Sequence, residues 1–196
     1  FEVLVVDNNS SDETVSIARG FGGVRVLHQP VQGSYAARNL GVRESSGEVV
    51  VFLDPDCAPR AGWLQAAVRA LANPATRIVL GRRHYGASHA LALLEKYEDE
   101  KIQWILRSGG PDQVYGYTNN MAMRRALLEE FGPFPERMRG GDTMFVQRVV
   151  QSCGIESVTF AGDMGVDHLE VTRLAEYYHK RTIYGASNER IAQEVP

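Results

Sequence analysis

The run Val49-Val50-Val51-Phe52-Leu53 ends abruptly in Asp54-Pro55-Asp56. Consecutive apolar residues of this kind read as a strand buried on both faces, the mark of a sheet covered by helices on either side. Charge does not belong inside such a strand, so the two carboxylates mark its C-terminal edge, where open α/β sheets bind ligands. Pro55 restricts Asp54 to extended backbone, and the pair is expected to converge on one cation. Paired oxygen ligands suit Mg²⁺ or Mn²⁺, ions that also hold phosphates. The competing reading is a strand running into a turn, since Asp and Pro are ordinary turn residues.

The first half of the chain alternates around this strand. Glu2 to Val6 reads as a strand, and Ser10-x-x-Glu13 as a capping box opening a helix that Gly20, Gly22 and Gly23 stop. A strand over Val24 to Leu27, a helix over Ser34 to Arg43, a helix over Ala61 to Ala72 and a strand over Ile78 to Leu80 complete it. This alternation predicts an α/β fold with a mostly parallel central sheet and right-handed crossovers. The second half predicts helices over Leu91 to Leu106, Arg125 to Phe131, Thr143 to Ser152 and Thr172 to Tyr184, with short strands at Asn119 to Met123 and Ile155 to Phe160. No repeat or linker divides the 196 residues, so a single domain is expected over residues 1–196.

Composition excludes several classes. A net charge of −3 argues against a nucleic-acid partner. The two cysteines, Cys57 and Cys153, show no metal or redox spacing, which favours a reducing, cytoplasmic setting. No apolar run approaches the ~20 residues that span a bilayer. The chain opens inside its first expected strand, so residues preceding Phe1 are expected, with any targeting signal among them.

Asp7-Asn8-Asn9-Ser10 follows the first strand and precedes the first helix. Polar side chains beside free helix N–H groups can receive a polar or anionic ligand, or can simply cap the helix.

Three segments in this order carry a resemblance: Val5-Val6-Asp7-Asn8-Asn9-Ser10-Ser11-Asp12-Glu13-Thr14, Gly33-Ser34-Tyr35-Ala36-Ala37-Arg38-Asn39-Leu40-Gly41, and Gly47 through Asp56. Together with Thr118-Asn119-Asn120-Met121, Phe131-Gly132-Pro133-Phe134 and Gly140-Gly141-Asp142-Thr143 they resemble the family 2 glycosyltransferases. The resemblance implies a GT-A fold, three-layer α/β/α, with residues 1–82 as the nucleotide-binding half and 83–196 as the acceptor-side half. It implies transfer of a sugar from a UDP- or GDP-linked donor to a hydroxyl acceptor, which could be a glycan, a lipid-linked molecule or a protein. Asp7 matches the acid that hydrogen-bonds the base, with Asn9 beside it. Arg38 matches a basic side chain near the nucleotide, Asp54 the acid near ribose and metal, and Asp56 the principal ligand of Mn²⁺ or Mg²⁺. Asn120 falls in the segment beside the donor sugar. Asp142 matches the catalytic base of an inverting transfer, with Glu136 as a fallback. His168 matches a late histidine of the metal site, with Asp167 as the alternative.

Two departures stand against the family pattern. Its members begin with one more strand, bearing a Pro-x-x-Asn-like segment, and they carry Glu where this chain has Gly141. These keep two alternatives open, a nucleotide-sugar-binding module without catalysis and a sugar-phosphate nucleotidyltransferase. The aromatic, basic stretch Tyr177-Tyr178-His179-Lys180-Arg181 with Tyr184 reads as an amphipathic helix that could cover the acceptor or rest on a membrane surface. The Leu91 to Trp104 helix, its aromatics read as core, could mediate a homodimer.

Overall fold

The computed structural model describes residues 1–136 and 139–182. Its elements run β1 (Val3–Asp7), α1 (Thr14–Arg19), β2 (Val24–His28), α2 (Ser34–Glu44), β3 (Val49–Leu53), β4 (Cys57–Pro59), α3 (Trp63–Leu71), β5 (Ile78–His84), α4 (His89–Ser108), β6 (Asn120–Arg124), α5 (Ala126–Phe131), α6 (Gly141–Cys153) and β7 (Val158–His168). A further helix, α7, is described from residue 174 to residue 182; Tyr184, expected to belong to it, lies outside the described residues.

The five-stranded sheet has the order β3-β6-β5-β7-β4. β5 and β7 pair in parallel, whereas β6 pairs antiparallel with both β3 and β5. β3, β5 and β7 therefore run one way, with β6 inserted against them, and β4 is a short antiparallel edge on β7. The sheet is mixed rather than mostly parallel: after β5 the chain passes through α4 and the 109–119 segment and re-enters the sheet antiparallel as β6. β1 and β2 form a separate parallel pair.

Strand pleating explains the layers. Successive side chains point to opposite faces, so Ile78 and Leu80 of β5 and Met121 and Met123 of β6 join one buried cluster with Phe134, Phe145 and Val146. Val79 and Ala122 point the other way and meet Ala66, Ala67 and Leu71 of α3. Small residues on that second face let α3 lie close to the sheet. Each large side chain removed from water contributes roughly 1.5–3 kcal/mol. β7 runs eleven residues to His168, well beyond the expected strand end at Phe160. Its register shifts against β5 between Gly81 and Arg82, and this carries the strand on to the site.

The expected capping box at Ser10 does not form. The Ser10 amide donates to Asp7 Oδ1 at 3.0 Å, and the Asn8 side chain is tied to Gln29, Val31 and Gly33. Residues 8–11 are thus held as a turn, and α1 starts at Thr14, whose amide donates to Asp12 Oδ1 at 3.1 Å. No described helix is long and apolar enough to cross a membrane.

Candidate active site

A cleft of about 560 Å³ opens beside the C-terminal end of β3, lined by α2, the 115–119 segment, the start of α6, the end of β7 and α7. Asp54, Arg38, Asp142 and His168 all face it. Four residues far apart in sequence meet here because α2, β3, α6 and β7 all end or begin at the same edge.

Asp142 lies in the first turn of α6, and is not its N-cap. Gly140 occupies that position with φ of 76°, a left-handed conformation that costs glycine little. The carboxylate is held from both sides. Tyr35 donates its hydroxyl to Oδ1 at 2.8 Å and the Thr143 amide donates at 2.9 Å. Oδ2 accepts from the Thr118 amide at 3.2 Å and from its hydroxyl at 3.5 Å. Burial and the neighbouring Asp142 push the Tyr35 phenol well above its ordinary value, so it stays a donor.

Gly141 acquires a physical meaning in this arrangement. A Cβ at that position would lie 2.7 Å from the Pro135 carbonyl oxygen and 3.0 Å from the Tyr35 ring. The space a larger side chain needs is filled by Tyr35, and the Tyr35 hydroxyl holds Asp142 in place. Glu136 is turned elsewhere and accepts from Asn39 at 3.2 Å.

The two carboxylates after β3 do not converge. Arg38 Nη2 sits 2.5 Å from Asp54 Oδ1, while Asp56 faces His168, with Nε2 and Oδ2 3.6 Å apart. The turn closed by the Cys57 amide donating to the Asp54 carbonyl at 3.0 Å separates them. Among the described residues, the group able to hold a metal is Asp56, Cys57 and His168, with ligand atoms within 4.8 Å of one another. Burial lowers the His168 pKa, and Nδ1 is buried with no hydrogen-bond partner. Burial and then Asp56 push the Cys57 thiol far up, and the hard cations that hold diphosphates prefer oxygen to sulfur. What remains is a carboxylate and a neutral imidazole, a set that fits Mn²⁺ or Mg²⁺. Lys180 Nζ lies 3.5 Å from Asp56 Oδ2 and 2.6 Å from Glu170. Asp167, the alternative ligand, is engaged by Arg60 at 2.7 Å.

Other expected residues lie away from the cleft. Asp7 is buried at the end of β1, accepting from Ser10 and paired with His28 Nδ1 at 3.1 Å; the Ser10 contacts and then His28 hold its pKa below the usual range. Asn9 takes positive φ (65°) and donates to the Pro30 carbonyl at 3.0 Å. Asn120 is fully buried, donating to Arg82 and Met164 carbonyls and accepting from Trp63. Its neighbour Asn119 lines the cleft instead, with a buried Oδ1 that has no partner. Asn119 belongs to the turn before β6 whereas Asn120 is the strand's first residue, and adjacent identical residues give the sequence no means of choosing. Tyr97 and Trp104 of α4, expected in the core, are each 58% exposed.

A model of the family described as Glycosyl transferase family 2 matches residues 1–132. The chain belongs to glycosyl transferase family 2. It is 34% identical over 170 residues to the glycosyltransferase AglE of Haloferax volcanii, a match covering 84% of this chain and 55% of that protein. The solved mannosyltransferase PcManGT from Pyrobaculum calidifontis, in complex with GDP-Man and Mn²⁺, superposes with a TM-score of 0.65 at 22% identity, covering 88% of this chain and 48% of the other. TarS of S. aureus in complex with UDP gives a TM-score of 0.64 at 19% identity over 85% of this chain and 50% of that one. These likenesses give the GT-A fold, and the chain spans about half the length of the relatives it matches.

Proposed function

We propose that the chain transfers a sugar from a UDP- or GDP-linked donor to an acceptor hydroxyl, with inversion at the anomeric carbon. The observation that carries this reading is Asp142, a carboxylate fixed on the cleft wall by Tyr35, Thr118 and Thr143, in the same cleft as Asp54 and His168. The complexes of PcManGT with GDP-Man and Mn²⁺, and of TarS with UDP, support the donor class.

Asp142 acts as general base. Its four acceptor positions are occupied, and the weakest contact, Thr118 Oγ1 at 3.5 Å, is the one an acceptor hydroxyl displaces. The carboxylate takes the hydroxyl proton as that oxygen attacks the anomeric carbon. The bond from this carbon to the diphosphate oxygen breaks, and the nucleotide diphosphate leaves with the electron pair. Asp56 and His168 would hold the divalent cation, which supplies Lewis-acid neutralisation of the leaving diphosphate. Asp54, oriented by Arg38, takes the ribose side, and Asp7 the base. Asn119, with its unpartnered Oδ1, replaces Asn120 as the residue reaching the sugar.

The test is Asp142→Asn, which keeps the shape and removes the base. Transfer is expected to fall by ~10²–10⁴-fold with nucleotide affinity unchanged. Near-normal transfer in this variant would overturn the assignment.

A further inference from the structure

The cleft has a second wall of opposite character. β5 and α4 present complementary charges: Arg82 pairs with Asp99 at 2.6 Å, Arg83 with Glu98 at 3.1 Å and His84 with Glu95 at 2.8 Å. Arg83, Lys101 and Arg181 line the cleft together with a single carboxylate of this row, Glu98. Glu98 is already committed to Arg83 and to the Tyr177 hydroxyl, which donates to it.

Lys101 and Arg181 are held by rings rather than carboxylates. Lys101 Nζ lies 4.9 Å from the Tyr115 centroid, and the Arg181 guanidinium 5.7 Å from that of Tyr177. Neither has an acidic oxygen within 4.0 Å among the described residues. The Tyr115 hydroxyl is buried with no hydrogen-bond partner, and burial raises its pKa to about 12, which keeps the proton on it. Burial, together with Arg181 and Arg83 against the pull of Glu98, lowers the Lys101 pKa. Lys101 is half-buried and Arg181 exposed, and cations set beside an unused donor are stabilised by a counter-anion. The 115–118 segment connects this wall to Asp142, since Thr118 holds that carboxylate.

We propose that this wall binds the acceptor through an anionic group, a phosphate monoester or a carboxylate, carried a few bonds from the hydroxyl that Asp142 deprotonates. The proposal rests on the donor and base assignments above and names the class of acceptor they leave open. Lys101 and Arg181 supply the charge, and the Tyr115 hydroxyl donates to an anionic oxygen.

The experiment titrates glycerol 3-phosphate, glycerate and glycerol calorimetrically into protein saturated with Mn²⁺ and whichever of UDP or GDP it binds. At least one anionic probe is expected to bind where glycerol does not. Tighter binding of glycerol 3-phosphate assigns a phosphate, and tighter binding of glycerate a carboxylate. Lys101→Gln should weaken the anionic probe by ~10-fold or more and leave nucleotide affinity within about two-fold, while Lys101→Arg retains the probe. Binding of neither anion, binding of glycerol equal to theirs, or an unchanged anion affinity in Lys101→Gln would overturn the proposal. So would a parallel loss of nucleotide affinity, which would assign the wall to the donor diphosphate. Failure of both nucleotides to bind the unaltered protein is a separate result, and it strikes the donor reading.

Discussion

The two walls of the cleft are assembled in opposite ways. On the acidic side, Asp54 and Asp56 sit within three residues of each other, and Asp142 opens a helix; each stands at the end of a regular element, and the residues that hold Asp142 are Tyr35, Thr118 and Thr143. On the basic side, Arg83, Glu98, Lys101, Tyr115, Tyr177 and Arg181 come from four separate segments and form one interlocked set of ion pairs and ring contacts. Asp54 and Asp56 keep 31% and 22% of their side chains exposed, whereas Arg83 and Glu98, at 17% and 6%, are part of the packing. Perturbation should therefore cost the first chiefly activity and the second chiefly stability.

Arg83→Ala puts this contrast under the greatest strain. Glu98 would be left buried without its guanidinium, and the ring of Tyr117, 4.1 Å from that group, would lose its cover. Denaturant unfolding should show a loss of about 3–5 kcal/mol. Arg38→Ala on the other wall breaks a more exposed pair and should cost about 1 kcal/mol or less while weakening nucleotide binding. Equal stability losses would erase the distinction.

Gly141→Glu restores the family's usual acid but forces a side chain into the Pro135 carbonyl and the Tyr35 ring. Overpacking of this kind costs about 1–3 kcal/mol, and displacement of Tyr35 should lower kcat by ~100-fold, about 2.7 kcal/mol at the barrier. A gain in rate would show that Tyr35 does not fill the role assigned to it. Tyr35→Phe isolates the hydroxyl. It should lower kcat by ~10-fold, with donor KM unchanged.

The smallest expected effect is on pH. Burial holds His168 below its ordinary value of 6.5 in the folded chain, against the pull of Asp56. The neutral ring therefore persists as pH falls through 6.5. Its contribution to stability is fully present above that value and is lost progressively as pH falls from there through the lower folded-state pKa. Mn²⁺ affinity measured from pH 7.5 downward should hold past 6.5 before declining. A decline centred on 6.5 or above would place His168 in a more open setting.

The same contrast explains what the sequence discloses. The acidic wall is legible because strand ends and helix starts have local signatures: an apolar run stopped by Asp54 and Asp56, and Gly140-Gly141 before Asp142. The basic wall is not legible, because nothing local links Lys101 to Tyr115 or Arg83 to Tyr177; only the folding of α4 and α7 over the sheet does. Asn119 and Asn120 could be separated only by knowing where the turn ends and β6 begins, and Tyr35 only by knowing that Gly141 leaves it room. Sheet direction escaped for a similar reason. A buried strand shows the same run of apolar residues whichever way its neighbours point, so β6 gave no sign of being inserted antiparallel.

Calorimetric titration of UDP and GDP, with and without Mn²⁺, into the unaltered protein and Asp56→Ala reads the nucleotide and metal sites together. At least one nucleotide should bind in a Mn²⁺-dependent manner, and this dependence should disappear in Asp56→Ala. Binding equally strong without Mn²⁺, or an unchanged Mn²⁺ dependence in Asp56→Ala, would contradict a donor site held through metal by Asp56.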